Sequence, residues 1–392
     1  MKRKIRIQTH DQSHGKEKIQ DKTVVILQEY VPQYRIPFFR QLIKLGSENG
    51  IQIRVAAGTP NEKQYLRQDG HSASFIQKVP QREFSIAGVR LVLRHVGPAI
   101  RSADLVIMEQ ARRNIDAYWL LLAPHGNRKI CLWGHGRDFV ATPSWFKKRA
   151  MTHLTQAADW FFGYTEGSRD AVVAEGYPVE RTTVVRNSID TTDFQNSISQ
   201  ITPAEVDEFK RLHNLHRSTA IFIGGLDESK RLPFLFQACG QAHEQNHDFR
   251  LLVAGSGQLR DYVEGIAKDA PWLTYLGPLF GKDKALAVAS SDLICMPGRV
   301  GLVAVDSFAA GRPIVTTAWP WHAPEFEYLA HNETCLITED DSSSYAQGLH
   351  RLMENRVELE SMQEACRNNR ATYSIEQMAS RFFEGIQLAL AS

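Results

Sequence analysis

The sequence predicts an α/β protein made of two doubly wound domains, each built around a parallel sheet. The chain has 392 residues, which exceeds the size at which a single hydrophobic core keeps growing. Short apolar runs alternate with helix-length segments, and this rhythm pauses once and then restarts. Near-continuous apolar strands separated by helices are typical of a parallel sheet that is covered on both faces.

Six apolar runs define the first predicted sheet. We assign this domain to residues 23–195. Residues 1–22 are polar and Lys-rich, with no apolar run long enough for a signal peptide or a membrane span, and we expect a disordered basic tail there. The six runs are VVILQEY, IRVAAG, LVIMEQ, ICLWGHG, WFFGYT and TVVRNS, beginning at Val24, Ile53, Leu105, Ile130, Trp160 and Thr183.

A second set of six runs follows a polar helical stretch, which we predict to be a linker at residues 196–217. The second domain is then expected at 218–373. Residues 374–392 carry apolar side chains at helical spacing, so this segment should form a helix that packs back across the first domain. The six runs are AIFIGGL, RLLVAGSG, LTYLGPL, DLICMPG, PIVTT and TCLITED.

Composition excludes several function classes. The 46 Lys and Arg residues nearly balance the 44 Asp and Glu residues, so the chain carries no nucleic-acid signature. Its five cysteines are scattered singly without a CxxC pair, which indicates a reducing compartment and argues against a zinc site. We therefore expect a cytoplasmic protein without a metal, a cofactor or a nucleic-acid partner.

The most informative stretch is PGRVGLVAVDSFAAG at residues 297–311, which RPIVTT follows. It predicts a strand end, a Gly-punctuated turn and a helix start. A Gly-rich turn that opens a helix presents backbone N–H groups and a positive dipole end to an anion. The stretch indicates a nucleotide or phosphate seat. Asp306 would accept hydrogen bonds from ribose or sugar hydroxyls, or it is an ordinary helix-start carboxylate.

Ligands of open α/β sheets bind beyond the carboxyl ends of the strands, so two such domains frame a cleft. His135 lies between two glycines in WGHG and is expected to face this cleft, although a lone histidine is more often structural. Glu109 is a general base or a partner of Arg112 or Arg113. In HAPEFEYL, at residues 322–329, a histidine and a glutamate form a second cleft-facing group or a solvated helix start.

The chain resembles the GT-B glycosyltransferases, specifically the large retaining family 4 that uses nucleotide-sugar donors. The resemblance extends from about Val24 to Ala389. Its specific part is FIGGLDESKRL, LLVAGSGQLRDYV, YLGPL and PGRVGLVAVDSFAAGRPIVTT in the second half. The first half adds EYVPQYRIPFF, LWGHGRDF and VVRNSIDTTDF. The resemblance implies two Rossmann-like domains that face each other across a cleft, with the donor bound to the second domain.

The sequence departs from the family pattern at one of the two donor carboxylates. The family carries two glutamates eight positions apart, and those positions are Gly298 and Asp306 here. The first carboxylate is missing and the second is shorter. The resemblance therefore implies that Asp306 holds donor hydroxyls without help from position 298.

The cations around the donor phosphates are also reduced. The family places an Arg and a Lys in the motif that here reads from Gly225 to Lys230, and only Lys230 remains. The diphosphate leaving group gains charge in the transition state, so a lost cation weakens catalysis unless another one substitutes. Arg231 and Arg299 are the candidates for this substitution.

The resemblance implies a metal-independent, retaining transferase that moves a sugar to a saccharide or lipid-linked saccharide acceptor in surface polysaccharide assembly. His135, Glu109 and Lys230 are the predicted catalytic residues. Tyr34, Arg35 and Asn187 are the predicted acceptor-side residues. The predicted donor-binding residues are Gly225, Lys230, Arg231, Gly255, Gly257, Gly298, Arg299, Gly301, Leu302 and Asp306.

Two alternatives stay open. A nucleotide-sugar-binding partner subunit with weak or no catalysis would account for the missing groups at Gly298 and Gly225. A sugar-nucleotide epimerase or a phosphorylase is compatible with the same fold, because fold does not decide chemistry. An NAD-dependent oxidoreductase is disfavoured, since no complete G-x-G-x-x-G follows the first strand.

Basic residues are numerous in the first domain, and most are expected on solvated helix faces. The stretch WFKKR at residues 145–149 also resembles segments that rest on an anionic membrane surface, such as the inner face of the cytoplasmic membrane. The basic residues are Arg82, Arg90, Arg94, Arg101, Arg112, Arg113, Lys147, Lys148 and Arg149.

Overall fold

The computed structural model describes residues 22–61, 73–86, 88–137 and 145–392, without the side chains of residues 146 and 147. The predicted basic tail lies outside the described residues, except for Lys22, which begins the first strand. Two parallel sheets organise this part of the chain and confirm the predicted fold class. None of its helices is both long and apolar enough to cross a membrane.

The first domain contains a parallel sheet, its covering helices and one separate hairpin. The hairpin consists of β4 (Gln81–Ile86) and β5 (Val89–Arg94). The helices are α1 (Ile36–Glu48), α2 (Gly97–Ile100), α3 (Ile115–Leu122), α4 (Trp145–Gln156) and α5 (Glu166–Val173). The sheet strands are β1 (Lys22–Gln28), β2 (Ile51–Ala57), β3 (Ile76–Lys78), β6 (Leu105–Glu109), β7 (Lys129–Gly134), β8 (Trp160–Gly163) and β9 (Thr182–Val184).

The second domain repeats this plan. Its helices are α6 (Thr192–Gln200), α7 (Pro203–Leu212), α8 (Leu232–Gln245), α9 (Arg260–Asp269), α10 (Gly281–Ala289), α11 (Val303–Ala310), α12 (Ser342–Glu354) and α13 (Arg356–Asn368). Its strands are β10 (Ser218–Ile223), β11 (Phe249–Ala254), β12 (Leu273–Gly277), β13 (Leu293–Cys295), β14 (Ile314–Thr317) and β15 (Cys335–Thr338).

The strand order reverses once in each sheet. The first sheet runs β3-β2-β1-β6-β7-β8-β9, and the second runs β12-β11-β10-β13-β14-β15. From β1 and β10 the chain crosses towards one edge of each sheet, and from β6 and β13 it crosses towards the other edge. This opens a crevice at the carboxyl ends of each central strand pair. The two crevices are where ligands of this architecture bind.

The helical segments before and after the second domain pack against other elements of the protein as well as connecting them. The predicted linker at 196–217 contains most of α6 and all of α7, and both helices pack against α10. The last helix, α14 (Ile375–Ala391), returns to the first domain. Its Phe382 stacks on Phe162 with ring centres 4.6 Å apart. Burial of α14 therefore completes the core on one face of the first sheet.

The structure corrects the expectation that most of the basic residues lie on helix faces. Arg82, Arg90 and Arg94 lie on β4 and β5 in an antiparallel register that pairs Gln81 with Arg94 and Ile86 with Val89. Turns contain Arg101, Arg112 and Arg113. The expectation is wrong for the first three because the hairpin segment alternates with a period of two residues. This places Arg90 and Arg94 on the same face of the hairpin.

Candidate functional site

Two loops meet in the crevice of the second sheet. One follows β10 and covers residues 224–231, and the other follows β13 and covers 296–302. The Arg299 N–H donates to the Ser229 carbonyl oxygen over 2.8 Å. Lys230 Nζ donates to the Arg299 carbonyl oxygen over 2.7 Å. The two loops therefore form one continuous rim at the carboxyl edge of this sheet.

Glycine is required where neighbouring loops pass each other at this rim. A Cβ atom at position 298 would lie 2.3 Å from the Ser229 carbonyl oxygen. Cβ atoms at positions 255 and 257 would lie 1.9 Å and 2.5 Å from carbonyl oxygens of the loop after β10. Gly255 and Gly257 also have φ of +150° and +158°, which favours glycine. The missing glutamate at position 298 thus follows from loop packing, because a side chain does not fit there.

Gly298→Ala is expected to lower the free energy of unfolding by about 1–3 kcal/mol, the usual cost of overpacking. The new Cβ would meet backbone atoms of residues 229 and 230, which cannot rotate away. Gly265→Ala is the matched control, since Gly265 lies exposed on α9 with open space at its Cβ position. This control should stabilise the helix by about 0.5–1 kcal/mol. Thermal denaturation measures both, and equal changes would contradict the packing argument.

The start of α11 carries unused hydrogen-bond donors. Leu302 occupies the N-cap position without a side-chain acceptor. The N–H groups of Gly301 and Leu302 donate to no atom among the described residues. Uncapped N–H groups and the positive end of a helix dipole attract anions. This end of α11 is therefore suited to a phosphate.

Lys230 and Arg299 bring two cations to the same rim. Burial lowers the pKa of Lys230, although the nearby Asp227 carboxylate acts in the opposite direction. Arg299 Nη1 donates to the Trp321 carbonyl oxygen over 3.2 Å. A backbone oxygen thus positions each cation at the rim. Two positive charges here favour an anion at the start of α11.

Arg231 differs from Lys230 in its partners, which include a carboxylate. It adopts a left-handed conformation with φ of +55°, and its Nη1 donates to the Pro297 carbonyl oxygen and to Thr317 Oγ1, each over 3.3 Å. The same nitrogen pairs with the Asp340 carboxylate. Its guanidinium therefore links the rim to the ends of β14 and β15, and Asp340 balances its charge.

His322 supports the same rim through two hydrogen bonds of its ring. Its Nδ1 accepts a hydrogen bond from the Val300 N–H over 3.1 Å, and its Nε2–H donates to the Thr317 carbonyl oxygen over 3.0 Å. This pattern requires a neutral imidazole, and burial lowers the pKa of His322 below its ordinary value. The alternative of a solvated helix start is wrong for His322, which is 6% exposed.

Asp306 lies in the first turn of α11, and its carboxylate is paired with Lys284. The Lys284 Nζ lies 3.0 Å from Asp306 Oδ1 and 4.4 Å from the ring centre of Phe194. The second carboxylate oxygen of Asp306 can still accept a hydrogen bond from a hydroxyl. The sequence did not indicate Lys284, because 22 residues separate it from Asp306 and no motif joins them.

Carboxylates and arginines fill the crevice of the first sheet. Glu109 Oε2 accepts a hydrogen bond from the Glu29 N–H over 2.7 Å and lies 3.8 Å from Arg94 Nη1. The buried Glu29 pairs with Arg90 and Arg113, each over 2.5 Å. Arg113 forms its ion pair with Glu29, and its positive charge also opposes the rise in the pKa of Glu109 that burial causes. Burial raises the pKa of Glu109, which favours a proton-accepting role near neutral pH.

The two domains contact each other through a 3-10 turn at Pro324–Tyr328. Asn187 Nδ2 donates to Glu325 Oε1, and the Gly167 N–H donates to Glu327 Oε1 over 2.9 Å. Glu325 and Asn187 are 4% and 2% exposed. The predicted acceptor-side residue Asn187 is thus tied to the second domain, and Glu325 is buried rather than solvated.

Glu325 places a carboxylate beside the rim formed by the loops after β10 and β13. Its Oε2 lies 3.8 Å from the Cβ position of Gly301. Burial raises the pKa of Glu325, while Asn187, Arg35 and Arg299 lower it. The sequence singled out Glu325 only through the HAPEFEYL run, because its neighbours come from other segments. Glu325 therefore supplies a carboxylate close to the region where position 298 has none.

Aromatic rings surround Arg35 on the opposite wall. The Arg35 guanidinium carbon lies 4.9 Å, 5.2 Å and 5.4 Å from the ring centres of Trp133, Tyr34 and Tyr164. Arg35 is 3% exposed, whereas Tyr34 is 41% exposed. The exposed His135 packs edge-on against Tyr164, with ring centres 4.3 Å apart. The structure therefore brings Tyr34, Arg35 and His135 into one cluster.

Two buried polar atoms near this cluster have no partner among the described residues. They are the indole Nε1 of Trp133, which is a donor, and the amide Oδ1 of Asn187, which is an acceptor. A buried polar atom without a partner costs about 1–3 kcal/mol. Trp133 Nε1 is therefore an unmet donor and Asn187 Oδ1 an unmet acceptor beside this cluster.

Comparison with known proteins found similarity to glycosyltransferases. Residues 217–355 match the family model described as glycosyl transferases group 1. An uncharacterised glycosyltransferase of Methanocaldococcus jannaschii is 27% identical over 149 residues, which cover 36% of this chain and 37% of that protein. A phosphatidyl-myo-inositol mannosyltransferase of Mycobacterium leprae is 29% identical over 149 residues, which cover 36% of this chain and 38% of that protein. The matched segments thus span just over a third of these relatives.

A solved structure extends the likeness to the whole fold. Anabaena HepE, crystallised in complex with UDP, aligns with a TM-score of 0.68 at 15% identity, over 93% of this chain and 99% of that chain. The chain has the GT-B fold. The predicted resemblance is confirmed at this level, and the second GT-B domain is the part that the family model matches.

The GT-B architecture explains where the predicted residues lie. All ten predicted donor-binding residues belong to the second domain, on the loops after β10, β11 and β13 or at the start of α11. His135, Glu109 and the acceptor-side residues belong to the first domain. The sequence missed Lys284 and Trp133, whose polar atoms reach the site from a neighbouring helix and from a buried strand.

Proposed function

We propose that this protein is a glycosyltransferase that moves a sugar from a nucleotide-diphosphate donor to a hydroxyl acceptor. The observation that carries the proposal is the uncapped start of α11 beside Lys230 and Arg299. Helix N–H groups and two cations at one crevice form a binding site for a diphosphate. The UDP bound to Anabaena HepE supports a nucleotide donor for this fold.

In this proposal the leaving diphosphate is stabilised by Lys230, Arg299 and the first amides of α11. These charges act as the bond to the sugar breaks and negative charge moves to the phosphate oxygen. Asp306 and Glu325 accept hydrogen bonds from donor hydroxyls. His135 and Glu109 approach the reacting sugar and the acceptor hydroxyl when the domains close. The reaction would be retaining and metal-independent, as the resemblance to family 4 implies.

The acceptor is proposed to be a saccharide or a lipid-linked saccharide in surface polysaccharide assembly. Arg35, Trp133 Nε1 and Asn187 Oδ1 offer donors and an acceptor to its hydroxyl groups. The mycobacterial relative is named for mannosyl transfer to phosphatidyl-myo-inositol, which supports a lipid-linked acceptor. A cytoplasmic enzyme would meet such an acceptor at the inner face of the membrane.

A second candidate function is a nucleotide-sugar-binding subunit with little catalysis. It is favoured by the steric exclusion of a side chain at position 298 and by the ion pair that occupies Asp306. Such a subunit would bind the donor without converting it.

The experiment that separates these functions measures donor binding and donor turnover on the same preparation. Thermal denaturation with UDP-, GDP-, ADP-, dTDP- and CMP-sugars should show stabilisation by one nucleotide class. A ligand at 100 times its Kd contributes about 2.7 kcal/mol. Release of the free nucleoside diphosphate from that donor, increased by added saccharide acceptors, is the expected result.

Other outcomes are equally informative. Stabilisation without nucleotide release under any condition would favour the binding subunit. Conversion of the sugar with the nucleotide still attached, in the absence of an acceptor, would favour an epimerase. The lack of any thermal shift with all five classes would contradict the proposed donor site.

A further inference from the structure

The β4–β5 hairpin presents two chemically different faces. In its antiparallel register Phe84 lies opposite Leu91, Ile86 opposite Val89, and Arg82 opposite Leu93. Side chains alternate between the faces of a strand, so these six residues share one face. We call it the ribbon face. It consists of Arg82, Phe84, Ile86, Val89, Leu91 and Leu93.

The ribbon face is apolar and points to solvent. Ile86 is 60% exposed, Val89 52%, Leu93 42% and Phe84 38%. Antiparallel strands with one face in water ordinarily turn their polar side chains outward. Contiguous exposed apolar side chains of this kind mark surfaces that contact a partner or a membrane.

The opposite face of the hairpin is fixed to the domain by charged groups. Arg90 pairs with Glu29 and Glu83, each over 2.5 Å. The buried Arg94 pairs with Asp116 over 2.6 Å, and the edge of β5 is joined to the chain before α3 by a backbone hydrogen bond. Turning the hairpin over would break these ion pairs and bury the arginines' apolar neighbours instead. The outward direction of the ribbon face is therefore built into the domain.

The segment that contains the ribbon face is strongly basic. Residues 76–149 contain 13 Lys and Arg against 5 Asp and Glu, whereas the whole chain has a formal net charge of only +2. Arg82 on the ribbon face and Lys78 just before β4 are exposed and form no ion pair within the described ranges. On the adjacent α3, Trp119 and Leu122 are 60% and 56% exposed. Exposed apolar side chains together with these two cations match the charge and polarity of an anionic bilayer surface.

We propose that the ribbon face docks on an anionic lipid bilayer. The apolar side chains enter the boundary between headgroups and acyl chains, and Arg82 and Lys78 contact the lipid phosphates. A second copy of the chain fits this surface less well, because a two-fold contact would bring the same basic segment against itself. The docking does not depend on sugar transfer, and it differs in position from the WFKKR stretch.

The position of the hairpin relates this surface to the crevice of the first sheet. Arg90 on β5 contacts Glu29, which directly follows β1. A docked hairpin would therefore hold the carboxyl edge of the first sheet close to the bilayer. If the proposed reaction is correct, a lipid-linked acceptor could reach the cleft without leaving the membrane.

The test is co-sedimentation of the full chain with two kinds of vesicle, phosphatidylcholine alone and phosphatidylcholine mixed with phosphatidylglycerol. We expect binding to the anionic vesicles that weakens at high salt. The double variant Ile86→Ser/Val89→Ser should bind them at least about tenfold more weakly, because two apolar side chains no longer leave water. Arg82→Ala should cost about fivefold.

Val357→Ser is the matched control, since Val357 is 80% exposed on α13 of the second domain. It should bind vesicles like the unaltered chain. Light scattering and the nucleotide-dependent thermal shift of each variant report the oligomeric state and folding separately from vesicle binding. Equal vesicle binding by the double variant and the control would overturn the proposal. The absence of binding to the anionic vesicles would also overturn it, and a dimer that Ile86→Ser/Val89→Ser dissociates would then identify a second copy of the chain as the partner.

Discussion

Asp116→Ala is expected to destabilise the first domain by about 3–5 kcal/mol, because it leaves the buried Arg94 without its closest carboxylate. The side chains of Arg94 and Asp116 are 1% and 4% exposed, and Arg94 Nη2 lies 2.6 Å from Asp116 Oδ2. After the substitution, the nearest remaining carboxylate is Glu109, 3.8 Å from Arg94 Nη1. We therefore expect a value near the lower end of this range. Denaturant unfolding monitored by tryptophan fluorescence would measure it.

The double variant Arg94→Met/Asp116→Leu provides the internal control. Removing both charges together should restore most of the lost stability, since apolar residues of similar volume often replace a buried ion pair at little cost. Glu208→Ala removes one partner of the exposed Arg211–Glu208 pair, and no measurable change is expected there. A double variant as unstable as Asp116→Ala would show that packing, rather than the unpaired charge, causes the loss.

Lys230→Ala is expected to lower kcat/KM for the proposed transfer by about 10²–10³-fold, the usual effect of removing one donor that stabilises transition-state charge. The Lys230 ammonium contacts the Arg299 carbonyl oxygen at the donor rim, beside the uncapped start of α11. Its loss removes a cation and weakens the rim. Steady-state kinetics with the donor found by thermal shift would measure the change.

Two further variants separate the charge of Lys230 from its packing. Lys230→Met keeps an apolar stem of similar length, so it should lose activity like Lys230→Ala while retaining more thermal stability. Lys282→Ala changes an exposed lysine on α10 that pairs with Glu205, and its kinetics should be unaltered. Turnover by Lys230→Met at the level of the unaltered chain would exclude a role for the ammonium in catalysis.

The hairpin shows why part of the first domain could not be predicted. The segments QREFSI and VRLVLR alternate with a period of two, which is compatible with a strand of either orientation. Apolar alternation normally indicates a face that packs on the core, but here the arginines turn inward to Glu29 and Asp116. Those carboxylates lie 61 and 22 residues away from their partners, so nothing local in the hairpin indicates which face is buried.

The same distinction applies to the candidate site, where local motifs predicted some residues and contacts between distant segments decided the others. The sequence indicated the rim formed by the loops after β10 and β13, because its glycines, Lys230 and the start of α11 lie within recognisable local motifs. It did not indicate that Glu325 contacts Asn187 or that Lys284 pairs with Asp306. The first of these contacts joins residues 138 positions apart across two domains. Side chains from unrelated segments meet there only because the sheets and helices are packed.

The sequence by itself determined the two-domain α/β architecture, the positions of the long strands along the chain and the Gly-rich turn before α11. These features depend on periodicity, chain length and short glycine motifs, which act over a few residues. Tertiary structure alone decided that position 298 has no room for a side chain, that Asp306 is paired and that the hairpin turns its apolar face outward. Each of these depends on atoms brought together from distant segments, and the sequence does not encode such distances locally.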